Sequence, residues 1–447
     1  MAGAATSGEK QHKYYCPDFG KNCLQPIRLN NKIEDMSEDC LTLNVWTPAI
    51  DDNKRPVMVY IHGGGFRTGS GNIPGEVLAE MGAVFVSMNY RLGALGFFAH
   101  EALPGMEANP GLLDVIMSLE WINSNIEQFG GDPENVTIFG ISAGGAIVNL
   151  LATNDKATGL FQHAIAQSGY AAWPLHRSNT APSAAPMNTN KDKAIDAEQH
   201  ANKLIAKITD APQTKELLYG LDGHEIVSTV TTFHVPIVDG SSIEEEPAIR
   251  AIRGQQLDIS YMSGGNSFDG SSMAGGGITI PDFMQEIGSD ADEARALYSD
   301  DGDDLWLTRM WGDNRYVLSA RILAESMKHK SSDAWLFYTD FVEEKDKQTS
   351  LGTYHGMDGY YLLGRYTEEN SVALRALSSD FKQYWFNFAS TGNPNGEGLP
   401  EWPTYDRQSD NWMVFSDVRE AKSGVLTKKL DFSESRYLQR IAPALAR

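Results

Sequence analysis

Ser142 stands between two glycines in Gly140-Ile141-Ser142-Ala143-Gly144, inside the stretch Asn135 to Leu150, NVTIFGISAGGAIVNL. A β-branched and aromatic run, Val136 to Phe139, breaks at Gly140, and a small, apolar pattern resumes after Gly145. The spacing predicts strand, sharp turn and helix. A G-x-S-x-G turn in that setting lifts the serine Oγ clear of the sheet, because a Cβ on either side would strike the neighbouring strand or helix. The helix that follows points unpaired N–H groups and its positive dipole end at the same spot, where an oxyanion would form. The pentapeptide alone also occurs as an ordinary turn; its flanks set it apart here. The chemistry indicated is attack by a serine oxygen.

A serine hydroxyl near neutral pH needs a base, and the base needs a carboxylate to orient it. With this turn the expected chain order is Ser, acid, His. Downstream of Ser142 lie His163, His176, His200, His224, His234, His329 and His355. His355, in the glycine-flanked GTYHGMDGYY after the last clear core strand, is the candidate base, with His234 its rival. His163 falls in a strand and reads as packed or at an edge; the others fall in polar or helical segments and read as solvated. For the acid, GGNSFDGSS offers Asp269. Asp239, in PIVDG, reads as a turn cap, and Asp358 is too close in sequence to His355 to approach Nδ1 from a separate loop. A second backbone feature is His62-Gly63-Gly64-Gly65-Phe66. Three glycines directly after a core strand are entropically costly, so the run reads as backbone N–H groups presented to something.

Those side chains require a scaffold. Leu41 to Trp46 alternates as a strand, Val57 to Ile61 is a continuous apolar run buried on both faces, and Ala83 to Met88 is another. Leu112 to Phe129 has the three-and-four spacing of an amphipathic helix. Gln162 to Ser168, Leu257 to Met262 and Ala334 to Tyr338 read as further strands, and Ser378 to Ala389 as a helix. The alternation predicts an α/β fold: a mostly parallel central sheet, helices on both faces, active loops at the strands' carboxyl ends, and a mobile or helical surface excursion over 172–216 after the nucleophile helix. Residues 1–38 read as irregular. No repeat or linker divides the chain, so 1–447 reads as a single domain.

The totals exclude several partners. At 447 residues with 41% hydrophobic content the chain has a sizeable core, and no apolar run approaches the ~20 residues of a membrane span. A net charge of -22 opposes nucleic acid and anionic lipid. The first fifteen residues show no apolar signal region, which leaves the compartment open. Oligomeric state is not legible. Cys16, Cys23 and Cys40 permit at most one disulfide, 16 to 40 or 23 to 40, with three free thiols the alternative.

SEDCLTLNVWTP, HGGGF, NYRLGALGF, FGGDPENVTIFGISAGG, GNSFDGS, HGMDGYYLLG and FASTGNPNG with EWPTYD occur in that order between residue 37 and about 406. Together they resemble the type-B carboxylesterase/cholinesterase family of α/β hydrolases. The resemblance implies a serine carboxylesterase acting through an acyl-enzyme, with Ser142 as nucleophile, His355 as base, Asp269 at the acid position, and an oxyanion hole from the N–H groups of Gly64, Gly65 and Ala143. It implies no cofactor and no metal, a small-molecule ester as substrate, and a Cys23 to Cys40 disulfide. Three departures stand out. Ile141 replaces the family's usual Glu before the nucleophile, removing a buried carboxylate. Asp269 is a methylene shorter than the usual Glu, so its loop must approach His355 more closely. The chain also begins near the first family cysteine, tens of residues later than usual, so it is either naturally short or missing its beginning. Phe66, Phe97, Phe98, Tyr170, Trp173, Tyr360 and Tyr361 flank the active loops and either line an apolar pocket or belong to the core. Short to medium acyl esters are the default substrates, with aromatic or bulky xenobiotic esters the other option. Two other readings use the same fold: an amidase or peptidase on the same triad, and a non-catalytic binding protein.

Overall fold

Along Arg55–Ile61, Val57, Val59 and Ile61 pack into one hydrophobic core while Met58 and Tyr60 pack into another. A strand with apolar neighbours on both faces belongs inside a covered sheet. The computed structural model, which describes residues 18–27, 32–179, 181, 196–302 and 304–446, places it there. The main sheet comprises β1 (Leu43–Trp46), β2 (Arg55–Ile61), β3 (Val84–Met88), β4 (Gly131–Ile141), β5 (His163–Gln167), β6 (Ser260–Asn266), β7 (Ala334–Thr339), β8 (Asn411–Phe415) and β9 (Arg419–Ser423). These nine strands lie in the order β9-β8-β7-β6-β5-β4-β2-β3-β1. The pairings are parallel except at the two edges, where β8 meets β9 and β3 meets β1 antiparallel. This is the predicted α/β-hydrolase arrangement.

Helices cover both faces. On one, α1 (Pro110–Asn125) contributes Leu112, Val115 and Leu119, and α2 (Ala143–Ala152) contributes Ile147, Val148 and Leu151. Pro110 opens α1 at a position where its missing N–H costs nothing. The other face is covered by α3 (Val372–Thr391), whose Phe381 stacks on Trp385 at 3.9 Å between centroids. Ser371 caps the start of α3 by accepting from the Leu374 N–H, and Gly392 closes it in the left-handed conformation.

Several boundaries differ from expectation. The 112–129 helix starts two residues earlier and ends in a 3-10 turn, Ile126–Phe129. Within the stretch expected to be irregular, Asn22–Cys23 pairs with Met36–Ser37; residues 1–17 and 28–31 of it lie outside the described residues. In the 172–216 excursion, His176–Arg177 pairs with Ile237–Val238 and Ala197–Ile205 is helical; residues 180 and 182–195 lie outside the described residues. The hairpin β8–β9 was not anticipated, because β8 offers only a four-residue apolar run, Trp412 to Phe415, that pattern alone cannot assign. Among the described residues no helix is long and apolar enough to cross a membrane.

Cys23 and Cys40 form a disulfide, as the resemblance implies; Cys16, the other candidate partner of Cys40, lies outside the described residues. Chain-entropy reasoning for a loop of this size gives about 3 kcal/mol. Replacing Cys23 with Ser should therefore lower the unfolding free energy by about that amount in a denaturant titration. An unchanged midpoint would mean the loop is held without its cross-link.

Candidate active site

Ser142 sits where β4 ends and α2 begins, with φ 60° and ψ -118°, a region non-glycine residues rarely occupy. Its N–H donates to the Gln167 carbonyl at 2.9 Å and its own carbonyl accepts from the Ala146 N–H at 2.8 Å, so strand β5 and helix α2 hold the turn from both sides. A Cβ on Gly140 would lie 2.5 Å from the Gly144 carbonyl carbon, and one on Gly144 would lie 2.0 Å from the Ile61 carbonyl oxygen. Neither glycine is needed for a positive φ; both are needed for close backbone approach.

The tri-glycine loop reaches the same place. A Cβ on Gly63 would fall 3.3 Å from the Ser142 Cβ. Gly64 and Gly65 adopt φ 117° and 65°, and a Cβ on Gly64 would overlap the Thr68 carbonyl oxygen at 2.0 Å, so glycine is required on both grounds. The Gly65 carbonyl is tied outward by the His234 N–H at 2.8 Å. Ala143 is the first residue of α2, where N–H groups have no acceptor within the helix.

His355 and Asp269 come from separate loops that are pinned together. Phe268 forms a bridge with Tyr354, the Phe268 N–H donates to the Thr353 carbonyl at 2.9 Å, and the Thr353 N–H donates to the Ser267 hydroxyl at 2.8 Å. That pinning supplies the close approach the shorter acid demands: His355 Nδ1 lies 2.7 Å from Asp269 Oδ1. Asp269 also accepts from the Ser168 hydroxyl at 2.9 Å and from the Asn266 N–H at 2.8 Å. Since a carboxylate oxygen accepts the Nδ1 proton, Nε2 presents a lone pair. Nε2 is buried and has no hydrogen-bond partner among the described residues. Tyr316 packs against the imidazole at 4.5 Å between centroids. The His355 loop also rests on the elbow, since a Cβ on Gly359 would lie 2.1 Å from Ile141 Cδ1. Ile141 is thus a buried apolar plug where the resemblance leads one to expect a carboxylate.

The rival residues have other partners. His234 is buried, with Nε2 2.8 Å from the Phe97 carbonyl. His163 packs its edge on Phe388, as expected of a strand histidine. His176 is buried, against the expectation that it is solvated, with its ring 4.4 Å from that of His200 and 6.5 Å from that of His234. Asp239 accepts the N–H groups of Ser241, Ser242 and Ile243, a turn cap. Asp358 is buried beneath the site, accepting from Gln167 Nε2 at 2.8 Å and Asn266 Nδ2 at 3.1 Å, and burial pushes its carboxyl upward. Sequence reading missed Ser168, Asn266 and Gln167 as supports. Asn266 lies within the recognised block around Asp269; Ser168 and Gln167 carry no local signal. Of the flanking aromatics, Phe66 packs on both Phe97 and Tyr170, Tyr361 packs with Phe341 and Phe381 in the core, and Tyr360 is exposed. Among the described residues no group of three or more His, Cys, Asp or Glu is arranged to hold a metal ion.

The carboxylesterase family model matches residues 9–301 and 306–433. Fumonisin B1 esterase of Sphingopyxis macrogoltabida is 27% identical to this chain, covering 93% of it and 79% of that protein. Carboxylesterase 3B of Mus musculus is 28% identical, covering 91% and 77%. Among solved structures, the Geobacillus stearothermophilus carboxylesterase EST55 superposes with a TM-score of 0.76 at 27% identity, covering 92% of this chain and 88% of that one.

The buried histidines give a pH prediction. Burial holds His176 down to about 2 and His234 to about 4, both below the value of ~6.5 for an exposed imidazole. Each is harder to protonate folded than unfolded, so stability is complete above pH ~6.5 and is lost as pH falls toward the folded values. Between pH 7.5 and 5 each should cost about 2 kcal/mol. His176→Phe should flatten the denaturation profile over that range by a similar amount; an unaltered slope would contradict the assignment.

Proposed function

Because the chain belongs to the carboxylesterase family and is a carboxylic ester hydrolase, we propose that its turnover runs through Ser142, His355 and Asp269. His355 Nε2 takes the Ser142 proton as Oγ attacks the ester carbonyl, and the N–H groups of Gly64, Gly65 and Ala143 receive the developing oxyanion. The protonated imidazole then gives its proton to the departing alcohol. Water repeats the attack on the acyl-enzyme, with His355 again the base. Asp269 holds the imidazole in the tautomer that leaves Nε2 free and steadies the imidazolium that forms. The observation that carries this reading is the 2.7 Å contact between His355 and Asp269, with Nε2 buried and without a partner among the described residues, just before a helix that rests against the residue preceding Ser142.

The substrates are small-molecule esters, and we assign short to medium acyl chains to them. The side of the site bounded by Phe66, Phe97 and Tyr170 is aromatic and suits an apolar group. The whole chain acts as one domain in this reading, with the excursion over 172–216 shaping the alcohol side. The net charge of -22 argues against nucleic acid as a partner.

Ser142→Ala should abolish hydrolysis of 4-nitrophenyl acetate while circular dichroism stays native, and Asp269→Asn should reduce kcat by about 10⁴ through the wrong imidazole tautomer. A Ser142→Ala protein that still turns over the ester would remove Ser142 from this role. A matched anilide should be cleaved far more slowly than the ester; equal rates would instead favour amide hydrolysis.

A further inference from the structure

Arg315 is 3% exposed and has no ion-pair partner among the described residues. Its guanidinium carbon lies 4.0 Å from the ring centre of Tyr170, 4.3 Å from that of Trp173, 5.5 Å from that of Trp311 and 5.7 Å from that of Tyr316. Aromatic faces attract a guanidinium, but they do not accept its N–H hydrogens as an oxygen would. Burying a cation without a carboxylate is expensive, so an anion that could pair with it is favoured there.

The surrounding groups sharpen the point. Arg315 Nε and Trp311 Nε1 are each buried without a hydrogen-bond partner among the described residues, while the Tyr170 and Tyr316 hydroxyls are neutral polar neighbours of the guanidinium. Arg315 Nε and Trp311 Nε1 can both donate, and both belong to the group formed by the guanidinium and the rings around it. What that group lacks, among the described residues, is an anion. Asp313 does not supply it, since that carboxylate accepts from the Tyr298 hydroxyl at 2.7 Å. Asp269, whose field reaches Tyr316, is committed to His355, Ser168 and Asn266.

The cage adjoins the reaction centre. Arg315 and Tyr316 lie on a single π-helical turn, Asp313–Val317, a backbone form found mostly where side chains must be aimed for function. Tyr316 packs on the His355 imidazole, and Tyr170 packs on Phe66, the residue after the oxyanion glycines. A group held by Arg315 is therefore one ring away from both the base and the oxyanion loop. In a protein of net charge -22 this is a local reversal of sign beside the carbonyl to be attacked.

We propose that the Arg315 cage receives a carboxylate on the acyl part of the substrate, so that the preferred esters are half-esters of short dicarboxylic acids. The inference rests on the site assigned above and adds the substrate class. The carboxylate would pair with the guanidinium and accept from Trp311 Nε1 and the Tyr170 hydroxyl. Such charge-assisted contacts in a dry site are worth about tenfold or more in affinity.

The test has a kinetic and a binding arm. In the first, kcat/KM is compared for mono-(4-nitrophenyl) glutarate and for its neutral methyl ester. The anionic ester should be preferred at least about tenfold, Arg315→Gln should erase the ratio, and Arg315→Lys should keep part of it. In the second, Ser142→Ala protein is titrated with monomethyl glutarate and with dimethyl glutarate, following the fluorescence of Trp173 and Trp311. The half-ester should bind at least about tenfold more tightly. This arm uses the native Arg315, so it decides the matter even if Arg315→Gln does not fold. Equal binding of the two ligands, or a preference that survives Arg315→Gln, would overturn the inference. Loss of neutral-ester hydrolysis bears only on the Ser142 assignment, because the binding arm needs no turnover.

Discussion

The structure depends on one backbone constraint: Ser142 is held at φ 60° by the Gln167 carbonyl on one side and the first turn of α2 on the other. A serine in this conformation costs of order 1–3 kcal/mol and persists only where its surroundings over-determine it. The surroundings do so through contact. Gly140, Gly144 and Gly145 approach β2, β5 and each other so closely that a single methyl group at any of them would collide with backbone. Those contacts exist only because β2, β4 and β5 are adjacent parallel strands in the middle of a covered sheet. The large apolar cores on both faces therefore supply the free energy that keeps one half-buried serine in a strained backbone conformation.

Around that fixed point the other groups are placed by loops pinned to one another rather than by regular structure. The Phe268–Tyr354 bridge brings the acid loop and the base loop together. The shorter acid at 269 then meets His355 at 2.7 Å. Below, Asn266 donates to both Asp269 and Asp358, so two carboxylates share one amide. Ile141, at the position where the resemblance leads one to expect a buried acid, fills its space with hydrocarbon against Gly359. The site thus keeps a carboxylate in its floor, Asp358, while losing the one expected beside the serine.

Much of this was legible in the sequence. The central strands announced themselves because parallel strands covered on both faces are uninterrupted apolar runs, and Val57 to Ile61 and Ala83 to Met88 are such runs. The G-x-S-x-G turn, the tri-glycine loop and the order of serine, acid and histidine were readable because each reports a local backbone demand or a fixed topology. What was not legible depends on distance. His176 lies in a polar stretch, and only the packing of His200 and His234 around it makes it buried. Ser168 and Gln167 look like the ordinary end of a strand until Asp269 and Asp358 are placed beside them. No spacing rule connects Arg315 to Tyr170 and Trp173. The edge hairpin β8–β9 was missed because a four-residue apolar run carries no directional information.

In the proposed reaction, folding makes one particular hydroxyl, that of Ser142, reactive. Exposing the native protein to a stoichiometric fluorophosphonate and mapping the adduct by peptide mass spectrometry puts this to the test. A single adduct on Ser142 that forms in the folded protein and is absent when the reagent is added after denaturation is the predicted result. An adduct on another residue, or labelling of Ser142 that survives unfolding, would contradict the claim.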